Sequence, residues 1–233
     1  MSIAEQLTQT MEPLLDAVYA AGKSAGGGTT DNPLKYISPD ISFDGFFDGA
    51  KFPENFELVF ERDTCSANLG SMFRNTINLR KLTLDIPKDS NGAAYNAYYF
   101  IYCQSTTNDR TLKELVIPEE MKISNASRFV AYRNGLVSIT GSIDATDCTN
   151  FTNAFANCSN LRNIRFKANT ISKSIDFLSS SSLTPESAQS IIDGLAQNTG
   201  DTQLTLTLNK HVSLTTEQSV AITAKNWTLV TND

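Results

Sequence analysis

The sequence predicts an α/β solenoid, a stack of repeats with one strand each, preceded by a helix and closed by helix-strand units. Three observations predict it: two distant segments that align with almost no adjustment, short strand-like stretches recurring between them, and a tail of different character. Residues 68–79 read NLGSMFRNTINL and residues 150–161 read NFTNAFANCSNL. Phe73 matches Phe155, Asn75 matches Asn157, Asn78 matches Asn160 and Leu79 matches Leu161. Looser copies run from Phe100 to Cys103, then Leu112 after an insertion, and from Phe129 to Tyr132, then Leu136.

The strand of each repeat follows its anchoring leucine. LTLDIP at 82–87, LVIPEE at 115–120, SITGSI at 138–143 and IRFKAN at 164–169 alternate with period two, and FELVFE at 56–61 fits as an earlier strand. Starts spaced roughly every 20 to 35 residues mark units too small to bury their own apolar face, so each must stack on its neighbours. Leu79, Leu82 and Leu84, then Leu112, Leu115 and Ile117, then Leu161, Ile164 and Phe166 are the expected inward rows. Cys103 and Cys158, each three residues after a Phe, are expected at equivalent buried corners as structural thiols.

Residues 154–166, AFANCSNLRNIRF, and residues 112–120, LKELVIPEE, resemble BspA-type leucine-rich repeats, in which units with one strand per turn stack into a solenoid. The likeness spans roughly residues 50–170 and departs from the pattern at the 100–112 insertion and at the two copies without Cys. It implies a leucine-rich-repeat solenoid over 41–178.

The ends differ. Leu7, Met11, Leu14 and Val18, continued by Ala21, form a narrow apolar seam on a helix over 1–24, kinked or restarted at Pro13 and suited to pairing with another helix. Residues 25–40, with GGGTTDNP, read as a flexible linker, so the helix is tethered rather than integrated, the alternative being a cap on the first repeat. Residues 179–233 form the C-terminal cap. There Thr184 and Pro185 open a helix through Leu195, LTLTLN at 204–209 is a strand, Thr215 and Gln218 make a capping box for a helix ending near Lys225, and Trp227 to Val230 is a last strand. These units are expected to extend the repeat sheet and close its edge.

LTPESAQSIIDGLA and the segment after it, with the opening MSIAEQLTQTMEPLLDAVYAAGK, resemble leucine-rich-repeat virion proteins of bacteriophages and prophages of Gram-positive gut bacteria. That resemblance implies a phage structural protein of the tail, baseplate or head surface. Its N-terminal helix would contact other virion proteins or its own copies, a homotrimer being favoured, and its solenoid would meet a host surface protein or glycan. The alternative is a BspA-like bacterial surface adhesin or a free-standing protein-binding module.

Composition bounds the chemistry. The 233 residues carry a formal net charge of -6 with a pI near 4.9 and no Lys/Arg cluster, which argues against nucleic-acid binding. Residues 1–25 are broken by Glu5, Glu12 and Asp16, so neither a signal peptide nor membrane insertion is expected; synthesis in the bacterial cytoplasm and a virion location are what the resemblance to phage proteins implies. Four cysteines without a CxxC pair and a single His211 argue against zinc. Asp40, Asp44 and Asp48 recur every fourth residue but miss the spacing of a calcium loop and read as turn aspartates. GxSxG, phosphate-loop and HExxH motifs are absent, so no enzyme, cofactor or metal is expected. Asn125, Asn150, Asn157 and Asn226 head formal glycosylation sequons, yet Asn150 and Asn157 are explained as repeat positions that cap corner backbone groups. The expected binding face is the outward row Val59, Thr83, Val116, Thr140, Arg165 and Thr207.

Overall fold

The computed structural model of the chain describes residues 43–104 and 110–231. The expected helix with Leu7, Met11, Leu14 and Val18, and the linker 25–40, lie outside the described residues. The described chain is a mixed α/β structure of parallel sheets and two helices. In chain order its elements are β1 (Lys51–Glu61), β2 (Ile77–Asp85), β3 (Tyr95–Asn96), β4 (Glu114–Val116), β5 (Met121–Asn125), β6 (Ser138–Thr140), β7 (Ile143–Asp144), β8 (Ile175–Phe177), α1 (Pro185–Gly194), β9 (Leu204–Leu208), α2 (Thr216–Ala224) and β10 (Trp227–Thr231). They form three parallel sheets with strand orders β1-β2-β4-β6, β3-β5-β7 and β10-β9-β8.

Parallel neighbours need a crossover between them, and here turns built on the repeated Phe and Asn residues supply it. The turns themselves pair backbone to backbone. Gly45 N donates to Gly70 O, Ser71 N to Tyr98 O, Tyr99 N to Ser127 O and Arg128 N to Thr152 O, at 2.9, 2.8, 2.9 and 3.0 Å. Successive turns are thus in register, and Gly45, Ser71, Tyr99, Arg128 and Asn153 at the matching position all have positive φ. Asn68, Asn125 and Asn150 each begin a turn by accepting the N–H two residues on, at 3.0, 3.0 and 2.8 Å, the Asx geometry their short side chains favour. Asn78 and Asn160 reach back to the preceding segment, donating to Phe52 O and Asn134 O. The Asn pattern of the sequence is therefore backbone satisfaction.

The core is continuous. Phe47, Phe73, Phe100, Phe129, Phe155 and Phe177 run through it with successive ring centroids 5.0, 5.6, 5.7, 6.5 and 4.5 Å apart, stacked or edge-to-face as aromatic quadrupoles prefer. All nine residues of the expected inward rows are buried. Arg133, also fully buried, joins turns: its guanidinium donates to Ile101 O, Thr76 O, Phe73 O and Thr76 Oγ1.

Several expectations are corrected. The single strand over 138–143 is two, because Gly141 adopts φ +99° and turns β7 into a different sheet from β6. A Cβ at Gly141 would lie 2.1 Å from Ile117 O, so only glycine fits this close approach. Residues 164–169 form no strand, and Phe166 makes a single isolated bridge with Ile143. Strands β3, β5 and β8 lie outside the strand stretches that the alternation predicts. Cys103 and Cys158 are both buried but not equivalent: Cys103 N pairs with Ala131 O and Tyr132 N with Ala156 O, which sets Cys103 opposite Tyr132 and Asn157.

The helix-strand units are where expected, with Thr184 and Thr215 as N-caps and the Thr215–Gln218 capping box formed. They do not extend the β1-β2-β4-β6 sheet. Helix α1 lies where its next strand would be: Ile164 N donates to Ser187 Oγ and Phe166 N to Ser190 Oγ, both at 3.0 Å, while Thr184 N donates to Arg162 O. A helix satisfies its own backbone, so two serine hydroxyls one turn apart accept the outward N–H groups of Ile164 and Phe166 and end the ladder. β8, β9 and β10 then build a separate sheet, with Phe177 stacked on Phe155.

Candidate functional site

Four of the six expected face residues are direct neighbours across the β1-β2-β4-β6 sheet. Val59 pairs with Thr83, Thr83 with Val116 and Val116 with Thr140, in one register. The bridge Ser138–Asn163 continues that register and sets Arg165 beside Thr140. Thr207 is a correction: it pairs with Asp176 and Val230 in the β10-β9-β8 sheet and does not join the row. The physical reason is α1, whose self-satisfied backbone stops the first sheet before β9 is reached.

The row is uncharged from Val59, 50 % exposed, to Thr140, and it is flanked by charge. One side carries Glu57, Lys81 and Glu114 in register, with Arg80 paired to Glu57 and Lys81 Nζ 2.9 Å from Glu114 Oε2. The other begins with Glu61 opposite Asp85. Arg165 bonds Glu119, whose carboxyl is held below its usual range by the Ser142 hydroxyl at 2.7 Å and then by Arg165. In the neighbouring groove Lys167 bridges Glu120 and Asp144 at 3.1 and 2.9 Å. Glu61 and Asp85 are like charges side by side, whereas the others are paired with one another.

Among the described residues no group of three or more His, Cys, Asp or Glu side chains is placed to hold a metal ion. Asp48 is engaged by Arg74 and Asn75 beside the positive-φ glycines Gly45 and Gly49, as turn aspartates are; Asp40 lies outside the described residues. His211 is exposed in the loop after β9. Burial pushes the thiols of Cys65 and Cys148 up to about 11 and that of Cys158 up to about 12. Such thiols are poor nucleophiles.

A second surface was missed from the sequence, although the run YNAYYFIY at 95–102 is its signal. Phe100 and Ile101 of this run enter the core, while Tyr98 is exposed, Tyr99 and Tyr102 are half-buried, and Tyr102 meets Tyr132 of the next turn. Ring centroids of Tyr98–Tyr99, Tyr99–Tyr102 and Tyr102–Tyr132 are 4.3, 4.9 and 5.7 Å apart, all edge-to-face. Arg128 lies over the Tyr99 ring at 5.0 Å and donates to its hydroxyl at 2.7 Å. Positive φ at Tyr99 breaks the two-residue alternation there, so which rings face outward is visible only once the turn geometry is known.

Comparison with known proteins yields no match: no family model, no curated protein and no solved structure is significantly similar to the chain.

Proposed function

We propose that the chain is a leucine-rich-repeat-type solenoid serving as a non-catalytic recognition component of a bacteriophage particle, and that its working face is the β1-β2-β4-β6 sheet. The single observation that carries the recognition reading is the unbroken register Val59–Thr83–Val116–Thr140, an uncharged stripe between charged rows. A stripe on a backbone braced by six phenylalanines in ring contact is preorganised, so binding through it costs little ordering entropy. Support for the solenoid reading comes from consecutive segments pairing in parallel on the sheets and on the turns. Assignment to a virion rests on the resemblance of the two termini stated above. In this reading the seam Leu7, Met11, Leu14 and Val18 joins the chain to other virion proteins or to its own copies, as a homotrimer, and the sheet faces a host surface protein or glycan.

Mass spectrometry of purified particles from the producing host tests the location: the protein is expected as a stoichiometric component, and its absence would refute the virion reading in favour of an adhesin or free-standing module. Thr83→Arg with Val116→Arg tests the face. Both side chains are half-buried at the sheet surface, so the variant is expected to fold and assemble into particles that no longer attach to cells. Attachment at the original level would refute the sheet as the working face.

A further inference from the structure

The geometry points to a second recognition site, formed by Tyr98, Tyr99, Tyr102, Tyr132 and Arg128 on the turns, that takes an acidic protein segment bearing an aromatic or aliphatic side chain. It is separate from the sheet face and stands whether or not that face binds.

The fold does not require these side chains. The turn ladder sets Tyr99 and Arg128 in register with Gly45, Ser71 and Asn153, and Tyr132 with Gly49, Asn75, Cys103 and Asn157, of which all but Cys103 have positive φ. Small or turn-forming residues therefore build the same backbone in the other turns. Tyr99, Arg128 and Tyr132 nonetheless sit at φ +53°, +53° and +65°, a region where bulky residues are uncommon and strained. Three strained large side chains converging on one patch is a cost that folding alone does not explain, and such strain gathers at functional positions.

The chemistry of the patch selects the ligand. Tyr98 is 42 % exposed, and among the described residues the hydroxyls of Tyr98, Tyr102 and Tyr132 bond no protein group. Among the described residues Arg128 has no carboxylate partner and is a cation framed by aromatic rings, in a chain of net charge -6. The neighbouring groups that could read sugar hydroxyls are consumed: Asp48 holds Arg74 and Asn75, and Asn75 Oδ1 accepts Gln104 N at 2.8 Å. What is left is ring surface, phenol hydroxyls and a guanidinium. Tyr and Arg in a compact cluster are the composition of protein-binding hot spots, and the cation asks for a carboxylate beside an apolar group.

The test is selection of a random linear-peptide display library on the full chain. Enriched peptides are expected to carry Asp or Glu next to an aromatic residue or leucine and to bind less well as salt rises. Their affinity is expected to fall at least ~10-fold with Tyr98→Ala and with Arg128→Ala. Arg128→Lys is expected to lose binding too, because an ammonium does not stack as a planar guanidinium does. Tyr132→Asn separates recognition from folding: it installs the residue of the matching positions, so the melting temperature is expected to hold or rise while peptide binding is lost. No enrichment, or peptides indifferent to Tyr98→Ala and Arg128→Ala, would overturn the site. A lower melting temperature for Tyr132→Asn with binding retained would overturn it as well. Oligogalacturonate binding lost in the same variants would assign the patch to acidic sugars and overturn the protein class. Thr83→Arg is expected to leave peptide binding unchanged, which keeps the fate of this site distinct from that of the sheet face.

Discussion

Removing the two serine hydroxyls that end the strand ladder isolates the energetics of the junction between strands and helices. In Ser187→Ala the N–H of Ile164 loses its acceptor in a fully buried setting, and an orphaned buried donor costs ~1–3 kcal/mol. Alanine is the better helix former by up to ~0.5 kcal/mol, so the net loss expected is ~1–2.5 kcal/mol. Ser190→Ala orphans Phe166 N, which is only partly buried, and the same reasoning gives ~0.5–1 kcal/mol. The hydroxyls serve separate N–H groups, so the double variant should lose about the sum, ~1.5–3.5 kcal/mol. Urea unfolding followed by circular dichroism measures the loss, and amide exchange locates it: the Ile164 and Phe166 amides should lose protection while Ile139, inside the sheet, keeps its own. Gln189→Ala, on the exposed side of α1, controls for helix propensity and should stay within ~0.5 kcal/mol of the wild type. A double variant as stable as the wild type, with the Ile164 amide still protected, would refute the account of how α1 closes the sheet.

Three further outcomes follow from the same structure. Gly141→Ala should destabilise by ~3–5 kcal/mol, because its Cβ meets Ile117 O and the residue sits at φ +99°, whereas Gly49→Ala, at φ +73° with open space around it, should cost only ~1–2 kcal/mol by thermal unfolding. Asp144 titrates below its ordinary range: burial raises it, but the Thr146 hydroxyl and N–H and the Lys167 ammonium together outweigh that. A depressed folded pKa gives stability that is present above the unfolded value near ~3.9 and lost as pH falls through the folded one, so the stability gap between wild type and Asp144→Asn should shrink in urea titrations below about pH 4. With Cys65, Cys148 and Cys158 buried and pushed up to about 11 to 12, a thiol reagent at mildly alkaline pH should modify them in denaturant but not at a comparable rate in the native protein; fast native modification at Cys158 would show that its corner opens.

Much of this protein was legible from residue spacing because its repeats are local statements. Phe73 and Phe155, Asn78 and Asn160, and the inward leucines occupy positions that a short stretch of chain already specifies, and the caps at Thr184 and Thr215 depend on three or four residues each. The outward row from Val59 to Thr140 followed from period-two alternation. Side chains on a strand alternate strictly, so knowing which leucines face in determines which neighbours face out.

What the tertiary structure alone decided concerns relations between segments. Whether β9 continues the first sheet or begins another depends on α1 occupying the next slot and offering Ser187 and Ser190 to the N–H groups of Ile164 and Phe166, and no local propensity encodes which partner a segment meets. The same is true of Gly141, whose role appears only when Ile117 O comes against it, and of the tyrosine surface. In YNAYYFIY the hydrophobic residues are contiguous, so alternation gives no hint of which rings are core. The backbone there passes through positive φ at Tyr99, which breaks the period and sends Phe100 and Ile101 inward while Tyr98 and Tyr102 face outward. Sequence determines the spacing of apolar groups; the close approach of one turn to the next determines which of them are left for a partner.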